Sequence, residues 1–159
     1  MNPETEDYLD KARHCLNEAK TVVGARLPDI AAREVYLAAF HAAEAYIFEH
    51  TDKAAKTHRG VRSQFNRLAQ REPAIARGFL TFLDEGFEFK TIADYGIGPA
   101  IDTILTEDAA SAIERAGRLI DINAELLASM SGRRTSKPAA EVLPADTSPG
   151  LRRSPVWIA

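Results

Sequence analysis

The sequence predicts an all-α protein: an antiparallel up-and-down bundle of four to five helices with a disordered C-terminal tail. Three observations carry this. Apolar residues recur at steps of three and four through most of residues 3–130. Prolines and capping side chains stand where those stretches begin. No stretch shows the two-residue alternation rich in Val, Ile and Thr that a strand needs, and no internal repeat is apparent.

Asn2 and Pro3 start the first helix, because an asparagine can cap and a proline at the first helical position loses no hydrogen bond. Leu9, Ala12, Leu16, Ala19 and Val23 share one face, and the helix runs to about Gly24. Pro28-Asp29 starts a second helix that reaches His50. Its middle holds Ala38, Ala39, Ala42, Ala43 and Ala45, small residues that let neighbours come close, so it should be central. Thr57 caps a third helix with Val61, Phe65 and Leu68 inward, ending near Glu72. Pro73 opens a fourth, whose Ile75, Phe79, Phe82, Leu83 and Phe87 enter the core until Gly96, Gly98 and Pro99 break it. Thr106, Glu107 and Asp108 begin the fifth, with a stripe from Ala109 through Ile113, Ala116, Leu119, Ile120 and Asn123 to Leu127 and Met130. It should end at Ser131-Gly132, which divides the chain into a bundle over 1–130 and a tail over 131–159.

The charge is divided in the same way. Residues 1–130 carry 15 basic and 21 acidic groups, and residues 131–159 carry 5 and 2, so an acidic body precedes a basic tail. Four prolines and sparse apolar residues in that tail leave too little burial to offset the entropy of ordering it. There is no signal-like start and no apolar run of the ~18 residues that span a bilayer, so a cytoplasmic protein without membrane contact is expected. Cys15 is the one cysteine and sits in a helical apolar pattern, which suits core packing.

Several enzyme classes drop out, because the chain lacks the phosphate-binding loop, the dinucleotide fingerprint, His-Glu-x-x-His and Gly-x-Ser-x-Gly. No histidine has a glutamate three residues before it, as the di-iron sites of helical bundles require. His14 and Glu18 are four apart on the first helix, but a single pair reads as a solvated contact. No metal or other cofactor is expected. Two clusters remain for chemistry: Arg33, Tyr36, Phe40 and His41 on the second helix, and Lys56, Thr57, His58 and Arg59 at the start of the third. Arg33 and His41 stand roughly 12 Å apart along the helix axis. From Lys53 to Arg77 the chain holds seven cations, Lys53, Lys56, Arg59, Arg62, Arg67, Arg71 and Arg77, against Glu72 alone. Clustered Arg and Lys attract phosphate, unless they pair with the acids Asp84, Glu85, Glu88 and Asp94 that follow.

The run Arg33-Glu34-Val35-Tyr36-Leu37-Ala38-Ala39-Phe40-His41-Ala42-Ala43, then Lys56-Thr57-His58-Arg59-Gly60-Val61, then Ala93-Asp94-Tyr95, resembles the small stand-alone HEPN (higher eukaryotes and prokaryotes nucleotide-binding) proteins. The resemblance implies a helical bundle, frequent homodimers, and binding of nucleotide or RNA by Arg33, Tyr36, His41, Lys56, Thr57, His58, Arg59, Arg62, Asp94 and Tyr95. Many members are metal-independent ribonuclease toxins with an Arg-x4–6-His motif, which makes Arg33 and His41 the catalytic candidates. Here seven residues separate them, and Lys90 stands where the family commonly has arginine. The expected function is therefore a non-catalytic or weakly catalytic nucleotide- or RNA-binding module. The alternatives are a metal-independent ribonuclease toxin of a toxin–antitoxin pair, and a helical partner of a nucleotidyltransferase-like protein.

Overall fold

A computed structural model describes residues 1–75, 77–96 and 106–135. They form five helices, α1 (Pro3–Gly24), α2 (Pro28–Thr51), α3 (His58–Ala69), α4 (Arg77–Tyr95) and α5 (Thr106–Thr135), with no strand among the described residues. None of these helices is long and apolar enough to cross a membrane.

The starts follow the chemistry read from the sequence. Asn2 accepts from Glu4 N with Pro3 in the first turn, and Thr57 accepts from Gly60 N. The first helix ends on Arg26 in the left-handed region, with Leu27 N bonded to Val22 O and Arg26 N to Val23 O. That pair of bonds satisfies the last carbonyls and turns the chain into α2.

Fourteen of the 24 residues of α2 are buried, so it has no free face and packs against each of the other four helices. Ala38, Ala42, Ala43 and Ala45 are fully buried. By helical period Ala38, Ala42 and Ala45 lie opposite Tyr36 and Phe40, and one core gathers around the helix from Leu9, Ala12, Leu16 and Ala19 of α1, Ile113, Ala116, Leu119 and Leu127 of α5, Val61 and Phe65 of α3, and Phe82 and Leu83 of α4. Polar ties fix the antiparallel order. The Glu49 carboxylate near the end of α2 is buried and accepts from Thr5 Oγ1 at 2.7 Å and Asn2 N at 3.0 Å at the start of α1. The Met1 amine donates to Ser131 near the end of α5. Asn123 of α5 donates to Ala42 O at 3.0 Å, while its Oδ1, equally buried, has no partner.

Three boundaries differ from the sequence reading. The third helix stops at Ala69, and residues 70–72 tighten into short-range turns such as Glu72 N to Ala69 O. Pro73 does not open α4; it sits inside a turn closed by Ile75 N to Glu72 O at 3.0 Å, a position its fixed φ suits equally well. The last helix continues past the expected stop to Thr135, since one glycine, Gly132, costs a helix only about 1 kcal/mol against alanine. The expected tail otherwise lies outside the described residues, as do Gly98 and Pro99.

Candidate functional site

The side of α2 that faces α3 and α4 carries Tyr36, with His41 at its edge. Tyr36 and Phe40 are one turn apart and share this face, and His58, first residue of α3, turns inward onto them. Its ring lies 4.6 Å from the Phe40 centroid, 5.7 Å from Tyr36 and 5.9 Å from Phe87 of α4. Tyr36 is fully buried, and its hydroxyl lies 2.9 Å from His58 Nδ1. A Cβ on Gly86 would lie 3.3 Å from Tyr36 Cδ2, so glycine lets α4 close over the ring.

Burial pushes the Tyr36 phenol up to about 12 against the opposing pull of Arg62, so it stays protonated and can donate to Nδ1. Burial also holds His58 below its ordinary value, reinforced by Lys90, Arg62 and His41 and opposed by Glu44. A neutral imidazole accepting at Nδ1 keeps its proton on Nε2. His41 stands at the edge of this cluster, 5.5 Å from Phe40 between ring centroids, with Nδ1 2.8 Å from Glu44. The structure therefore joins Tyr36, His41 and His58, which the sequence left in two clusters.

Arg33 goes elsewhere. Its Nε lies 3.4 Å from Asp94 Oδ1, and the other oxygen of that carboxylate pairs with Lys90. Tyr95 is exposed, with the Lys90 ammonium 5.8 Å from its ring centre. Arg33, Lys90 and Asp94 thus tie the start of α2 to the end of α4. Arg33 is engaged there by a carboxylate, and no contact joins it to His41.

Beside the His58 cluster, α3 and α4 enclose an open groove of about 440 Å³ whose lining includes Arg59, Arg62, Asn66, Arg67, Gln70 and Asp84. Arg62 spans both features: its guanidinium lies 4.3 Å from the Phe87 ring centre and 3.0 Å from Asp84. Arg62 Nε and Asn66 Oδ1 are buried there without partners. Among the described residues, Arg62 is the one cation of the Lys53–Arg77 run that forms an ion pair. Lys56 and Thr57 are exposed at the head of α3, outside the groove lining. The sequence reading missed Glu44, Phe87 and Asn66, whose place in the site comes from helix packing rather than from any local motif.

His50 is structural, with Nδ1 2.7 Å from Tyr46 O. No group of three metal-type donors surrounds His58 among the described residues. A comparison with curated proteins gives no match. A family model does match: the HEPN domain, over residues 5–127, which spans all five helices from the first turn of α1 nearly to the end of α5. The chain belongs to the HEPN domain family.

Proposed function

We propose that this HEPN protein binds RNA or nucleotide phosphates along the α3 groove, as a non-catalytic or weakly catalytic module. The observation that carries the reading is the unpaired positive charge: six of the seven cations from Lys53 to Arg77 make no ion pair among the described residues, and three of the seven line one groove. Anionic phosphate oxygens satisfy such a row and would accept from Arg59 and Arg67. His58 and Tyr36 then serve as a rigid floor that fixes the head of α3, where Lys56 adds an exposed cation.

Ribonuclease activity is the second reading, favoured by a neutral histidine held beside cations. In that reading His58 rather than His41 takes the ribose proton, and Lys90 and Arg62 take the charge role that Arg33 cannot fill while it holds Asp94. An antitoxin or a nucleotidyltransferase-like protein is the kind of partner the family suggests. A homodimer fits the exposed Leu27, Ile30, Phe89 and Tyr95 better than it fits α5, whose stripe is consumed within the protomer.

The test is binding of labelled single-stranded RNA and of ATP across a salt series, with chelator present and products resolved on a gel. Phosphate binding predicts affinity that falls linearly with log salt. In Arg59→Ala with Arg67→Ala the slope should be shallower by about 0.7 for each phosphate that is no longer neutralised. Chelator-resistant cleavage would select the ribonuclease reading. Absence of salt-sensitive binding to both probes would remove the phosphate reading and leave a protein-interaction bundle.

A further inference from the structure

A second cluster of chemistry-bearing side chains lies away from the groove, between α1 and the start of α2. Glu34 precedes Tyr36 by two residues, which turns it about 200° around the helix, to the opposite side from the His58 cluster. There it meets Cys15 and Glu18 of α1, and one donor atom from each of the three lies within 4.8 Å of the other two. His14 stands outside that triangle and adjoins it through Glu18: its Nε2 is 3.3 Å from Glu18 Oε1, and both side chains are exposed and free to turn towards Cys15 and Glu34. Two ligands held at ~2.0–2.1 Å by one tetrahedral zinc stand about 3.4 Å apart, so the His14–Glu18 separation is already that of a ligand pair. The Cys15, Glu18 and Glu34 donors, within 4.8 Å of one another, have to close to that spacing around an ion.

Burial first, then the Glu34 and Glu18 carboxylates, push the Cys15 thiol up to about 11. Burial and Glu18 likewise raise Glu34, against a weaker opposing pull from Arg33. Two carboxylates and a thiol crowd together, a donor set whose negative charge a divalent cation would balance. A solvent-open cavity of about 440 Å³, whose lining includes His14, Glu18, Ile30 and Glu34 but not the buried Cys15, gives an ion access to the imidazole and the two carboxylates.

We propose that His14, Cys15, Glu18 and Glu34 bind a zinc-class divalent cation that clamps α1 to the start of α2. A thiolate and an imidazole beside two carboxylates select Zn²⁺ or Co²⁺ over Mg²⁺ and Ca²⁺, which prefer all-oxygen sites. Binding displaces the thiol proton and leaves the α3 groove untouched.

The test is titration of the chelator-stripped full chain with Co²⁺, then Zn²⁺. Because the chain has one cysteine, a thiolate-to-cobalt charge-transfer band can come only from Cys15. The expected result is that band at one equivalent, its disappearance on Zn²⁺ addition, and its persistence in excess Mg²⁺. Cys15→Ser should abolish it. Glu34→Gln and the exposed His14→Ala should each weaken cobalt affinity by more than the ~10-fold typical of losing an outer-shell partner. Circular dichroism separates these effects from unfolding, and His14, being exposed, can be replaced without disturbing core packing. No binding, binding without the sulfur band, or affinity unchanged in Glu34→Gln and His14→Ala would each overturn the proposal.

Discussion

The two sides of α2 are held by different means. Towards α1 and α5 it presents fully buried alanines, and the large neighbours Leu9, Leu119 and Leu127 fill what the small side chains leave open. Towards α3 and α4 it presents rings, a tyrosine hydroxyl and a histidine, and the groove beyond carries Arg59 and Arg67 without counter-ions among the described residues. Away from the corner where Cys15 and Glu18 meet Glu34, the first side is settled by packing, with a few buried polar ties. The second leaves polar capacity over. The difference teaches where to look for function in a helix that is apolar nearly all round: on the side where the neighbours bring charge and do not use it.

Packing should dominate stability on the first side. Leu119 is fully buried, so Leu119→Ala removes apolar surface from the core and leaves a cavity, and should cost about 2–5 kcal/mol by urea denaturation. The exposed Arg59→Ala should shift stability by less than about 0.5 kcal/mol. If the two variants unfold at the same urea concentration, the division between a packing side and a functional side is wrong.

That division was only half legible in the sequence. Helical period and caps gave the five helices and the packing faces, because Leu9, Ala12, Val61, Phe65, Leu119 and Ile120 need only local spacing to be recognised. Boundaries were weaker where one residue type serves two purposes, as Pro73 does in a turn rather than at a helix start. The charge row from Lys53 to Arg77 was visible, but its freedom from Glu85, Glu88 and Asp94 was not, since that depends on which faces meet. The same limit applied to His58, which could have pointed in or out at the helix start. His14 and Glu18 read as a solvated pair because Glu34, which completes the cluster with Cys15, arrives from another helix.

On the second side the Tyr36–His58 pair is the feature most exposed to test. Tyr36→Phe keeps the ring contacts and removes one hydrogen bond between a buried hydroxyl and a half-buried ring nitrogen, so a destabilisation of about 1 kcal/mol is expected. Titration sharpens the point. His58 is held below its ordinary value of 6.5 by burial first, with Lys90, Arg62 and His41 acting in the same direction and Glu44 against it. Well above 6.5 the imidazole is neutral in both folded and unfolded chains and costs nothing. As pH falls below 6.5 the unfolded chain takes up a proton that the folded one refuses, so stability falls until the folded value is passed, where the decline levels off. His58→Gln should remove that acid limb from the pH profile of thermal unfolding. A wild-type profile that this variant leaves unchanged would mean that His58 is solvated and the aromatic box open.

The smallest expected effect belongs to Arg33, the residue that the family's ribonuclease motif would make indispensable. Its side chain is half exposed and meets Asp94 at 3.4 Å, and that carboxylate is also paired with Lys90. Removing Arg33 therefore leaves Asp94 with a cation, and an exposed pair of this kind contributes within about 1 kcal/mol. Arg33→Ala should shift the melting profile little. It should also leave RNA and ATP affinity and their salt slope at wild-type values, whereas the Arg59 and Arg67 replacements flatten that slope. The contrast has a clear reverse. For Arg33 to reach a phosphate near His41 it would have to release Asp94, and Arg33→Ala would then lower affinity while the folded state kept its stability. That result would move the phosphate site from the α3 groove to the end of the bundle where α2 begins and α4 stops.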